Sequence, residues 1–228
     1  MSFTKITFNQ ILEAQNKIHT NTLEENDLTD VLNLINSTLY IQEKIIFENE
    51  ELKPLMNEIV SDVISVISTA MQGHYRLAAS GLRNILEISC STIFYKDHPI
   101  EYKLYKDFDF KADKYVSTLI NEYHFFKTKY IKTFYQEITT KEKETDSCSI
   151  YLNKTYAKLC DIVHGRYLTL TRINELKIEY DHALFSKFKT ILEYTLGAFF
   201  LMYVLRFNDF SNSEIIKIVK KTKALKND

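Results

Sequence analysis

Two stretches of the chain carry the residues best suited to chemistry. The first, GHYRLAASGLRNILE (73–87), spaces Arg76, Ser80, Arg83 and Glu87 three or four residues apart, which on a helix stacks them in one narrow stripe. The second, YAKLCDIVHGRY (156–167), gathers Lys158, Asp161, His164 and Arg166 around Gly165. Histidine exchanges protons near neutral pH, a carboxylate can orient its ring, and arginine or lysine can hold an anionic group. Each stretch also has a plainer reading. Arg83 and Glu87 stand at i, i+4 and can form a purely structural ion pair. His164 falls in the last turn of its helix, where it can simply serve the free carbonyls and where the helix dipole favours a cation. Residue type and spacing leave both readings open.

The elements that must position these side chains are helices. Four glycines and two prolines are too few for the many tight turns of a β-sandwich or barrel. Ile59, Val63, Val66 and Ile67 recur at the helical period, as do Leu82, Ile85, Leu86 and Ser89. The pattern predicts an all-α bundle of about seven or eight helices, near 5–18, 28–50, 55–72, 74–96, 112–138, 149–164, 181–208 and 211–224. Pro54 suits a first helical turn, and Gly73 separates two helices. Asp181 is the expected N-cap of the long apolar helix, while Asn208 and Ser211 mark its end and the next start. Gly165 is the expected left-handed residue closing the helix of His164. In the helix of Arg83, Leu77, Leu86 and Ile88 are expected to fill the flanks, and Ala78, Ala79, Ser80 and Gly81 to admit a neighbouring backbone. Residues 139–149, which lack an apolar anchor, read as a loop.

Composition excludes several classes of function. Lys+Arg 29 against Asp+Glu 30 leaves a net charge of -1, so no global field calls for a polyanion. Three cysteines without a C-x-x-C pair argue against a disulfide framework and a zinc site. His74, His124, His164 and His182 stand singly, without an H-x-x-x-H or E-x-x-H pair within an expected helix, so no metal or cofactor is expected. No glycine loop cradles phosphate, and no serine stands on a nucleophile elbow. The N-terminus lacks a secretory pattern, and TLGAFFLMYVL (195–205) is shorter than the roughly 20 residues of a membrane span. A cytoplasmic chain without a membrane partner is expected. Two basic segments remain. Lys127, Lys129 and Lys132 interleave with Tyr123, Phe125, Phe126, Tyr130, Phe134 and Tyr135, a pattern that can stack bases but more often buries the rings and leaves the lysines wet. The C-terminal Lys217, Lys220, Lys221, Lys223 and Lys226 contrast with the first 60 residues, which hold ten acids against four lysines.

A helix of the form GHYRLAASGLRNILE followed much later by one ending YAKLCDIVHG resembles the HEPN superfamily and the related abortive-infection proteins. The resemblance covers roughly residues 55–208. It implies a four-helix core within a single domain (1–228), with N-terminal helices over 1–50 and a basic C-terminal helix over 211–224. It further implies a homodimer, a role in bacterial toxin–antitoxin or phage-defence systems, and a cognate antitoxin or defence partner. Many such proteins are metal-independent ribonucleases, whose signature is an arginine, then four to six residues, then a histidine on a late helix. Here the positions where that arginine could stand hold Ala157, Lys158 and Leu159, and a lysine lacks the planar fork of arginine. Arg83 or Arg166 could substitute in space. On that resemblance His164 is the general base or acid, Asp161 orients it, and Glu87 positions Arg83. Arg76, Lys158 and Arg166 would meet the RNA phosphates. The alternative is a non-catalytic interaction or regulatory module of the same fold.

Overall fold

The computed structural model describes residues 5–108, 115–134, 146–164 and 179–225. Ten α-helices and one 3-10 turn make up the described residues, which hold no strand. In chain order the helices are α1 (Lys5–Glu25), α2 (Thr29–Glu48), α3 (Lys53–Met71), α4 (Tyr75–Asp97), α5 (Pro99–Phe108), α6 (Val116–Glu122), α7 (Thr128–Phe134), α8 (Ser147–Val163), α9 (His182–Phe207) and α10 (Ser213–Lys221).

The centre of the bundle is α9. Its second half is apolar around the whole circumference, and every residue from Thr195 to Leu205 is buried, as expected of a segment surrounded on all sides. It touches α2, α3, α4, α7, α8 and α10. By length and composition it is also the one helix among the described residues able to cross a membrane, but 72% of its most apolar window is buried within the bundle. Asp181 caps its start by accepting from the Leu184 amide at 2.9 Å. Asn208 ends it in the left-handed conformation, at φ 52. The next helix is capped by Asn212, which accepts from the amides of Glu214 and Ile215, and not by Ser211. Ser211 binds Asp209 instead, through its amide at 3.0 Å and its hydroxyl at 2.5 Å.

The α3–α4 hairpin packs against this centre. Gly73, at φ 86, makes the turn between its arms. Met56, Ile59, Val63, Val66, Ile67 and Ala70 form the buried stripe of α3. Gly81 lies where the two helices cross, and a Cβ there would stand 2.6 Å from Cγ1 of Val66. The opposite expectation fails one turn earlier, because Leu77 is 67% exposed and fills no flank.

The structure corrects three element assignments. The helix expected over 112–138 is two short helices, α6 and α7, parted by a turn in which His124 and Phe126 adopt positive φ. The break lets Phe125 and Phe126 both bury their rings, with Phe125 against Phe94 of α4 as well as Tyr130. Asp146, distant in sequence, accepts from the Thr128 amide at the start of α7. Lys129 and Lys132 stay exposed, so this segment follows the buried-aromatic pattern; Tyr135 lies outside the described residues. The second correction is α5, which opens on Pro99 and buries only Tyr102, too little apolar periodicity to announce a helix. Third, α1 continues to Glu25, well beyond the expected end at 18. Gly165 and residues 139–145 of the expected loop lie outside the described residues, while Ser147–Ser149 already belong to α8.

A charged group ties the far end of α4 to the centre. Asp97, the last residue of α4, accepts from Arg206 Nε at 2.5 Å and from the Tyr130 hydroxyl. The Arg206 guanidinium lies 4.0 Å from the Phe134 ring centroid. Burial first, then the Asp97 charge, pushes the Tyr130 hydroxyl well above its ordinary pKa.

Candidate functional site

The α4–α8 seam brings the two chemical stretches together. Arg83, two turns into α4, donates from Nε to Glu87 Oε1 at 3.0 Å, the i, i+4 pair anticipated from the spacing. Its Nη2 donates to the Tyr156 hydroxyl at 3.1 Å, and that hydroxyl donates to the same Glu87 oxygen at 3.1 Å. Its Nη1 lies 3.3 Å from His164 Nε2. An arginine nitrogen can only donate, so Nε2 is the acceptor and the ring proton is assigned to Nδ1. Arg83, Glu87 and Tyr156 therefore form a closed triangle, and His164 stands at its outer corner.

The triangle is sheltered and its corner is open. Side-chain exposure is 17% for Arg83 and 31% for Glu87, Tyr156 is buried, and His164 is exposed. Burial opposes the charge of Arg83, but the hydrogen bond and the attraction of Glu87 outweigh it, and the guanidinium pKa is raised. Burial is also the first cause holding the Tyr156 hydroxyl well above its ordinary range, with the Glu87 charge next. The tyrosine is thus a neutral hydrogen-bonding group between two ions. His164 itself is the C-cap of α8, and its amide donates to the Cys160 carbonyl at 2.9 Å.

Not every expected residue joins this group. Arg76 is exposed in the first turn of α4 and takes no part in its hydrogen bonds, and the Ser80 hydroxyl donates to the Arg76 carbonyl at 2.9 Å instead. Lys158 is exposed and directs its ammonium over the Tyr194 ring of α9, 4.7 Å from the centroid. Asp161 is half-buried three residues before His164. Arg166 lies outside the described residues.

Sequence reasoning did not single out the Tyr156 hydroxyl. The available signal was a tyrosine on the helix that carries His164, and its meaning depends on α8 docking against α4. A cavity of about 300 Å³ opens elsewhere, between α2 and α9, where Asp30, Lys189 and Glu193 are among its walls. Among the described residues no three histidine, cysteine or acidic side chains gather as a metal site. All three cysteines are free thiols.

No family model, curated protein or solved structure matches the chain. The class that the fold and site define is an all-α bundle with an arginine–glutamate–tyrosine–histidine cluster at the seam of its fourth and eighth helices.

Proposed function

We propose that this chain is a HEPN-like protein of a bacterial stress or phage-defence system and that it cleaves RNA without a metal, using His164. The observation that carries the reading is the 3.3 Å approach of Arg83 Nη1 to His164 Nε2 at an exposed helix end. Metal-free cleavage needs a base for the 2′-hydroxyl, a cation at the phosphoryl oxygens and an acid for the leaving 5′-oxygen. The 2′-oxygen bonds to phosphorus, the bond to the 5′-oxygen breaks, and the products carry a 2′,3′-cyclic phosphate and a 5′-hydroxyl. His164 supplies the base or the acid and Arg83 the cation. In a twofold dimer the second histidine supplies the complementary proton transfer. Cytoplasmic location and a cognate antitoxin or defence partner belong to the same reading.

The second reading is a non-catalytic interaction module of the same fold. One observation favours it: Lys158, the single basic residue in the window before His164, covers Tyr194 rather than joining the cluster. Induced expression of wild type and His164→Ala in a bacterial host separates the two. Growth arrest with RNA breakdown in wild type alone is the expected result. Intact RNA in both strains, with equally folded protein, rejects cleavage by His164 under those conditions and favours the interaction module.

A further inference from the structure

We infer that Tyr156 is a positioning residue for this site: its hydroxyl turns the Arg83 guanidinium so that Nη1, and no other corner, is presented beside His164 to a bound phosphate group. The inference rests on the proposed function for the reaction it serves, but its geometry is independent of that reading.

The argument begins with how an arginine meets a carboxylate. Left to themselves, the two favour a bidentate fork, with two parallel N–H groups on two oxygens. Here Glu87 takes only Nε, through one oxygen. The Nη2 corner, which shares an edge of the guanidinium with Nε, is taken by the Tyr156 hydroxyl, and that hydroxyl is held in turn by the same Glu87 oxygen. The inner edge of the guanidinium is therefore held at two points, which restrains rotation of the group within its own plane. Its Nη1 corner then faces His164. The Tyr156 ring reinforces the placement, with Arg83 Cζ 5.3 Å from its centroid.

Packing alone does not require a hydroxyl at this position. Tyr156 is 8% exposed, with Leu152 and Leu159 also buried on α8, surroundings that a phenylalanine ring would suit. A buried hydroxyl is costly unless it is paired, and this one is paired twice, with both members of one ion pair. Structural ion pairing of Arg83 and Glu87 needs no third member, whereas aiming the guanidinium does.

The substitution Tyr156→Phe removes the hydroxyl and keeps the ring. Wild type, Tyr156→Phe and Glu87→Gln are compared for thermal melting, for kcat and KM on a labelled oligoribonucleotide, and for the shift of the His164 ring resonance on addition of inorganic phosphate. In Tyr156→Phe we expect phosphate affinity and kcat/KM each to fall about 10- to 100-fold, the range for one lost hydrogen bond to a charged group, with kcat itself reduced. Glu87→Gln should fall in the same direction. A purely structural role would lower the melting temperature and leave phosphate affinity and kcat unchanged, and that result overturns the inference. Phosphate binding that weakens as expected, in a wild type that cuts no RNA, upholds the positioning role and rejects the ribonuclease reading. RNA cleavage by wild type and Tyr156→Phe with equal constants does the reverse. A wild type that neither binds phosphate nor cuts RNA rejects both.

Discussion

Replacing Asp97 by asparagine tests how the bundle is held together at the end of α4. The side chain of Asp97 is 4% exposed and that of its partner Arg206 is 18% exposed. Asparagine keeps the volume and one acceptor oxygen but leaves the Arg206 charge without its counter-ion. Breaking a buried pair in this way costs about 3–5 kcal/mol, and the partial exposure of Arg206 points to the lower end, about 3 kcal/mol. A carboxylate on the last residue of a helix also opposes the dipole, so removing it returns about 0.5 kcal/mol. The net loss is about 2–3 kcal/mol, which in a chain of this size lowers the melting temperature by roughly 5–10 °C. Urea and thermal unfolding followed by circular dichroism would measure it. The cycle closes with Arg206→Met, which removes the stranded charge and leaves an apolar stem over Phe134, so the double variant should lose less than the sum of the single ones. A melting temperature within about 1 °C of wild type for Asp97→Asn, or a cycle additive to about 0.4 kcal/mol, would refute the account.

Two further perturbations follow from the packing and the acid chemistry. Gly81→Ala sets a methyl against Val66 Cγ1 at a spacing of 2.6 Å, so it should destabilise by about 1–3 kcal/mol although alanine is the better helix former. Val66→Ala in the same chain should recover part of that loss, as read by chemical denaturation. Asp209 accepts from the hydroxyls of Tyr40, Tyr203 and Ser211. Burial opposes its charge, but the bonds from Ser211, Tyr203 and Tyr40 prevail and lower its pKa from 3.8 to about 2. A depressed folded-state pKa stabilises above the unfolded value, and the gain is lost as pH falls through the folded value. The shift would be worth about 2 kcal/mol by linkage, and solvent screening at a partly exposed group reduces it to about 1 kcal/mol. Asp209→Asn should therefore be less stable than wild type near neutral pH, with the difference closing between about pH 4 and pH 2 in acid titrations of stability. A difference that stays constant across that range would contradict the linkage.

Local rules made much of this architecture readable. Asp181 and Asn208 bracket α9 as their types suggest, and Pro54 and Gly73 stand where a helix start and a turn require them. The Arg83–Glu87 pair is likewise local, because i, i+4 neighbours meet whatever the rest of the chain does. The approach of His164 to Arg83 and the two hydrogen bonds of Tyr156 belong to a different level. They depend on α8 lying along α4, an arrangement fixed by which apolar faces find each other across 69 to 81 residues. The break between α6 and α7 was hidden for the same reason. Within its own segment Phe125–Phe126 fits a helix, whereas the turn lets Phe125 meet the Phe94 ring of α4. Asp97 and Arg206 pair across 109 residues, beyond any local pattern.

The central place of α9 bears on how the chain is made. This helix follows α2, α3, α4 and α8 in chain order, yet all four rest on it. A ribosome delivers those earlier helices first, so their apolar faces emerge before the surface that will cover them exists. The α3–α4 hairpin, joined by Gly73 and closed at Gly81, is local enough to form early. The rest must wait, exposed, until Leu205 has been synthesised. An α4–α8 seam backed by α9 is completed only once α9 has followed α8 off the ribosome. The nascent chain therefore needs protection from aggregation until α9 emerges, and the cluster around Arg83 gains its backing only then.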